Sequence, residues 1–141
     1  MNDVNLTLGD SQSQKPSFVL DAGFAKHPWH TELCKLFEIR FIGGAVMNAI
    51  EILHHPHSIY LKTPKYRMGG CAIWDLAAIS LLIQNAGGTV HTFDGSPLLL
   101  NREHSLYFND VGFVFTGAAI SFEDVQDMLH DFQIDETVLA Q

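Results

Sequence analysis

From Phe18 onward, short apolar runs alternate with longer segments in which apolar residues return every three or four positions. Phe18 to Leu20 predict a strand, and "HPWHTELCKLF" predicts a helix opened by Pro28. "EIRFIGG" predicts a strand running into a glycine turn, "AVMNAIEILHH" a helix, and "SIYLKT" a further strand. The segment "GGCAIWDLAAISLLIQNAGG", Gly69 to Gly88, predicts a central helix closed by Gly87 and Gly88. "TVHTFDGSPLLL" gives a strand, an Asp94-Gly95 turn and an extended piece, and "GFVFTGA" the last strand. The final helix, "SFEDVQDMLHDF", starts at Ser121 with Asp124 in the return position of a capping box. Its apolar stripe is Val125, Met128, Leu129 and Phe132, while Glu123, Asp124, Asp127 and Asp131 face water. This alternation predicts an α/β domain over residues 17–141, a mixed, mostly parallel sheet with helices on its faces. Residues 1–16, rich in Asn, Asp, Ser and Gln without an apolar period, are expected to form a flexible tail.

One carboxylate breaks the pattern. At 100° per residue, Asp75, Ser80, Gln84 and Asn85 share no face of the central helix, so burial on most sides is expected. Asp75 falls in the first turn, where unpaired N–H groups and the helix dipole favour negative charge. A buried carboxylate also suits a divalent cation. Position alone leaves both roles open.

Composition narrows the classes. The chain has 141 residues, 47% of them hydrophobic and 17% charged, enough for one folded core. A net charge of −8 argues against a nucleic-acid polymer as partner. Cys34 and Cys71 lack metal-type spacing, so reduced thiols and a cytoplasmic location are expected. No run reaches the roughly 20 apolar residues of a membrane span, and no signal-peptide pattern opens the chain. The cluster His54, His55 and His57 suits either a transition metal or a solvated helix end. Lys62, Lys65 and Arg67 suit either phosphate contacts or a solvated loop. Cys71 has the surroundings of a packed thiol.

Several motifs in order carry a resemblance. Trp74-Asp75-Leu76-Ala77-Ala78, Ala86-Gly87-Gly88 and Asp94-Gly95-Ser96-Pro97-Leu98 resemble the C-terminal signature of the inositol monophosphatase superfamily. That signature is W-D-x-A-A, an apolar helix, A-G-G, a strand and D-x-x-G-x-P-L. Upstream, Gly43, Ala45 and Asn48 are in register with the family's G-[ST]-A-A helix start, and "NDVGFVFTGA" resembles its late strand. The likeness covers about residues 18 to 120 and implies the C-terminal α/β half of that fold. The long segment "IYLKTPKYRMGGCAIWD" looks more like the bisphosphate nucleotidase branch.

The resemblance implies hydrolysis of a phosphate monoester, an inositol phosphate or a 3′-phosphoadenosine-type nucleotide, with two or three Mg²⁺ ions. It implies that Asp75 is a metal ligand. Gly43, Gly44 and Ala45 would line the substrate pocket, with Lys62 and Arg67 as further substrate contacts. The departures are as informative. Neither a G-E-E segment nor D-P-[IL]-D-G-T, the family's other sources of metal ligands, occurs in the chain. Gly44 stands where Ser or Thr is usual, Met68 near a substrate-binding carboxylate, and Asn85 in place of a common Glu. A lone carboxylate holds Mg²⁺ poorly, so the chain is expected to be catalytically inactive alone. Two functions are carried forward. One is half of a phosphatase, working with a complementary N-terminal half on a phosphorylated small molecule. The alternative is a non-catalytic remnant serving as a binding or oligomerisation module, with an exposed apolar face that favours a homodimer.

Overall fold

A computed structural model describes residues 16–65 and 70–131, except the side chain of Asp131. Strand β1 is Ser17–Val19, followed by a 3-10 turn at Ala22–Lys26 and helix α1, His30–Leu36. Then come β2 (Glu38–Arg40), α2 (Ala45–His54), β3 (Ser58–Lys62) and α3 (Ile73–Asn85). Strands β4 (Thr89–Thr92) and β5 (Phe113–Thr116) precede the last helix, α4 (Phe122–Asp131).

The five strands form one sheet in the order β2-β1-β3-β5-β4. Interior strand β1 pairs in parallel with both β2 and β3, Phe18 lying opposite Ile39 and Ile59. Strand β5 is antiparallel to both of its neighbours, with Phe115 opposite Tyr60 and Val90. Four strands therefore run one way and β5 alone runs back, which is the mixed, mostly parallel α/β sheet expected.

Strand side chains alternate between two cores, as a two-residue period requires. Phe18, Ile59, Leu61 and Val114 meet Phe24, Leu33, Phe37, Phe122, Val125, Met128 and Leu129 on one face. Val19, Tyr60, Val90, Phe113 and Phe115 meet Ala49, Ile52, Leu76, Ile79 and Ile83 on the other. Helix α4 turns Val125, Met128 and Leu129 inward and Glu123, Asp124 and Asp127 to water, as its pattern predicts. The Asp124 N–H donates to the Ser121 hydroxyl at 3.3 Å, and that hydroxyl in turn donates to Glu123, not to Asp124. Phe132 and residues 1–15 lie outside the described residues.

Three boundaries differ from expectation. Helix α1 starts at His30 rather than at Pro28, because the Trp29 N–H turns back to His27 Nδ1 at 3.3 Å. Strand β2 stops at Arg40, and Phe41 and Ile42 run exposed into the glycine turn. Helix α3 starts at Ile73, since the preceding residues pair with a distant loop. The Ile73 N–H donates to the Leu106 carbonyl, and the Phe108 N–H to that of Cys71. The expected glycine stop is present. Gly87 has φ +88°, its N–H reaches the Gln84 carbonyl at 3.0 Å, and Gly88 reaches Ile83 at 2.9 Å. Only a residue at ease with positive φ closes a helix this way.

The larger correction concerns the burial of α3. Leu76, Ile79, Ser80 and Ile83 are buried, but Trp74 is 64% exposed, Leu81 59% and Leu82 49%. Trp74, Ala77, Ala78 and Leu81 form one stripe opposite the buried one, and Tyr107 meets Trp74 edge to face at 6.1 Å. The helix is apolar on two sides, as read from the sequence. Among the described residues, however, only one of those sides is covered.

Candidate functional site

In an open parallel sheet, ligands gather beyond the carboxyl ends of the strands, where loops and helix starts converge. Here those ends deliver Asp21 just after β1, Gly43 and Gly44 after β2, and Lys62 as the last residue of β3. The start of α3 adds Cys71, Ala72 and Asp75.

A hydrogen-bonded chain joins Asp21, Lys62 and the glycine turn. Lys62 Nζ lies 2.9 Å from Asp21 Oδ2, with Lys62 15% and Asp21 32% exposed. The other Asp21 oxygen accepts from Asn48 Nδ2 at 3.2 Å and from the Tyr60 hydroxyl at 3.4 Å. Asn48, fully buried in the first turn of α2, accepts the Gly43 N–H on its Oδ1 at 3.0 Å. The glycine turn is thus tied through Asn48 to the end of β1. Gly43 and Gly44 have φ +107° and +76°, a twist that L side chains resist. Open space lies where their side chains would be. The backbone twist, not crowding, selects glycine at both positions.

This geometry describes the surroundings of two expected substrate contacts. The Gly43 N–H is consumed by Asn48 and is not offered outward; Gly44 and Ala45 stand at the helix start, where N–H groups lack intrahelical partners. Lys62 is not a loose phosphate-seeking side chain, because Asp21 already holds it. Arg67 and Met68 lie outside the described residues.

Asp75 is half-buried at the third position of α3, and its Oδ2 accepts the Ala72 N–H at 2.9 Å. The carboxylate therefore caps its own helix from within. Cys71 sits among Asp75, Asp21 and Lys62. Burial, aided by the two carboxylates and opposed by Lys62, pushes its thiol up to about 12. That thiol stays protonated near neutrality and packs into the core. Burial, reinforced by Asp21, likewise raises the Tyr60 hydroxyl far above its ordinary range, keeping it a neutral donor.

The histidine cluster lies elsewhere, beyond the far end of α2. His55 Nε2 lies 3.1 Å from Glu51, which also pairs with Arg40, and His54 is exposed. Among the described residues no three His, Cys, Asp or Glu side chains converge as a metal site. Asp21 and Tyr60 escaped the sequence reading, and Asn48 entered only through its register in a motif. The signal available was slight: an acid placed directly after an all-apolar strand, without a repeating partner.

With this arrangement in view, comparisons with known proteins place the chain. The profile of the inositol monophosphatase family matches residues 5–118. The chain belongs to that family. Solved structures with the same fold include the inositol monophosphatase of Anabaena (Nostoc) sp. PCC 7120. It is 19% identical, covering 82% of this chain and 44% of that one, with a TM-score of 0.56. Inositol monophosphatase II of Staphylococcus aureus MSSA476 is 16% identical, covering 90% and 46%, with a TM-score of 0.62. A 2′AMP-bound form of the staphylococcal IMPase-II is 14% identical, covering 92% and 47%, with a TM-score of 0.63. At such identities the likeness is one of fold. The chain spans less than half the length of these solved proteins. No curated protein sequence matches it. No helix among the described residues is long and apolar enough to cross a membrane.

The family is generally metal-dependent. The described residues do not fit a divalent ion on their own. Asp75 spends one oxygen on its helix, and Asp21 is committed to Lys62, Asn48 and Tyr60. A near-octahedral Mg²⁺ needs more oxygen ligands than remain.

Proposed function

We propose that this chain contributes the substrate-recognition side of a phosphomonoesterase site and binds a phosphorylated small molecule at the carboxyl ends of β1, β2 and β3. The ligand is an inositol phosphate or a 3′-phosphoadenosine-type nucleotide. Relatives of the same fold are recorded with 2′AMP and with inositol monophosphate, which supports these two classes. The observation that carries the reading is the convergence, on one edge of the sheet, of Asp21, Gly43, Gly44, Lys62 and the Asp75 end of α3. Hydrolysis dependent on Mg²⁺ calls for carboxylates from a complementary N-terminal half, with Asp75 as this chain's contribution.

The test uses the full chain alone. Titration of 2′-AMP and of inositol 1-phosphate, followed by backbone NMR, is expected to shift Gly43, Gly44 and Lys62. Phosphate release from either compound is expected to be absent across a range of Mg²⁺ concentrations. Turnover that requires Mg²⁺ and disappears in Asp75→Asn would overturn the inactivity of the isolated chain. Absence of any shift at the glycine turn would overturn the binding site.

The exposed apolar stripe favours a second reading. Trp74, Leu81 and Leu82 lie bare on α3, a surface suited to a second copy of the chain, so a non-catalytic oligomerisation module also accounts for it.

A further inference from the structure

Lys62 is the obvious cation for a phosphate at this edge, yet it already has a partner. Its ammonium lies 2.9 Å from Asp21, with Lys62 mostly buried and Asp21 partly so. Asp21 is itself fixed by two further donors, Asn48 and Tyr60, so it does not swing away freely. A hydrogen bond between ionised, partly buried groups is stronger than one between neutral groups. A second carboxylate, Asp75, stands at the start of α3 with its Oδ2 held by the Ala72 N–H. At 2.9 Å the Asp21 charge largely cancels the pull of the Lys62 ammonium on a phosphate.

We infer that Asp21 masks Lys62 and sets the anion affinity of this edge: a phosphate monoester reaches the ammonium only by competing with the Asp21 carboxylate. Asp21 is a positioning residue, acting on a ligand through Lys62 and, by way of Asn48, through the Gly43-Gly44 turn. The pair presents a donor and acceptor edge without net charge, and the ammonium is freed only when a ligand displaces Asp21. This inference rests on the proposed phosphate-binding site.

The experiment is calorimetric titration of the full chain with inorganic phosphate and with 2′-AMP at low ionic strength. The proteins are wild type, Asp21→Asn, Asp21→Ser, Lys62→Met and Asp21→Asn/Lys62→Met. Loss of the mask is expected to tighten 2′-AMP binding about tenfold in Asp21→Asn. The gain disappears when the ammonium is absent: the double variant binds no more tightly than Lys62→Met alone. A merely structural Asp21 would lose affinity on substitution, not gain it. Asp21→Ser keeps a hydrogen-bonding group for Asn48 and answers the same question should Asp21→Asn fold poorly. A gain of the same size from Lys62→Met to the double variant would show that Asp21 acts by its own charge and not by holding the ammonium, overturning the mask while leaving the binding site intact. Unchanged affinity in folded Asp21 variants overturns it as well. Absence of binding by every protein overturns both the mask and the site.

Discussion

The sheet carries two helical layers that meet water differently. On one face, α4 is finished: Val125, Met128 and Leu129 face the core, and Glu123, Asp124 and Asp127 face outward. On the other face, α3 buries Leu76, Ile79 and Ile83 but leaves Trp74, Leu81 and Leu82 bare, and neighbouring α2 exposes Val46 and Met47. Both layers bury comparable apolar residues against the sheet, so the strands do not distinguish them. The difference lies in their outer surfaces. Helix α4 turns a charged surface to water, whereas α3 and α2 leave apolar side chains there. The glycine turn and Asp75 sit at the helix starts of this second layer. The candidate site and the uncovered surface therefore share the same two helices.

The sharpest way to break this contrast is to cut one side chain from each side of α3. Leu76→Ala removes a fully buried side chain and is expected to cost about 2–5 kcal/mol in urea unfolding. Leu81→Ala, on the bare stripe, is expected to change stability by no more than about 0.5 kcal/mol in the monomer. Equal costs would mean that both sides are packed in solution.

Association probes the bare side directly. If a second copy covers it, Trp74→Ser with Leu81→Ser weakens self-association by about 2 kcal/mol or more, estimated from the apolar area lost. Light scattering across a concentration series reads the change, with Glu123→Ala on the outer face of α4 as the unaffected control. A wild-type chain that stays monomeric at every concentration defeats this use of the stripe.

The smallest effect belongs to the finished layer. His91 of β4 stacks on Phe122 of α4, centroids 3.7 Å apart, and burial holds its imidazole below the ordinary value while Glu123 pulls the other way. The folded state therefore disfavours the protonated ring. The stabilisation is complete above the unfolded value of about 6.5 and is lost as pH falls through the lower folded value. His91→Phe preserves the stack and is expected to flatten part of the decline in unfolding free energy between pH 7 and pH 5. His27, lowered by burial and by Lys65, leaves a remainder of the same sign. A decline as steep in His91→Phe as in wild type would remove His91 from the account.

The succession of strands and helices was legible because local chemistry and long-range packing agree. The stop at Gly87-Gly88 and the inward stripe of α4 depend on neighbours in sequence, and both stand where the pattern put them. The coverage of α3 was not legible. An all-round apolar pattern says that a helix seeks two neighbours, and is silent on whether the same chain supplies both. The candidate site was half legible. Gly43, Gly44, Lys62 and Asp75 stood out by motif or charge. The contacts that give Lys62 its state come from Asp21, 41 residues away in sequence, joined only once β1 and β3 pair. No spacing rule reaches that far.

The bond from the Ala72 N–H to Asp75 has a consequence for reading the acid. An acid that secures the first turn of α3 is useful to folding whether or not any ion ever visits it. Finding an acid at this position is therefore not by itself a sign of a bound ion. In this chain Asp75 is part of the protein architecture whatever else it does.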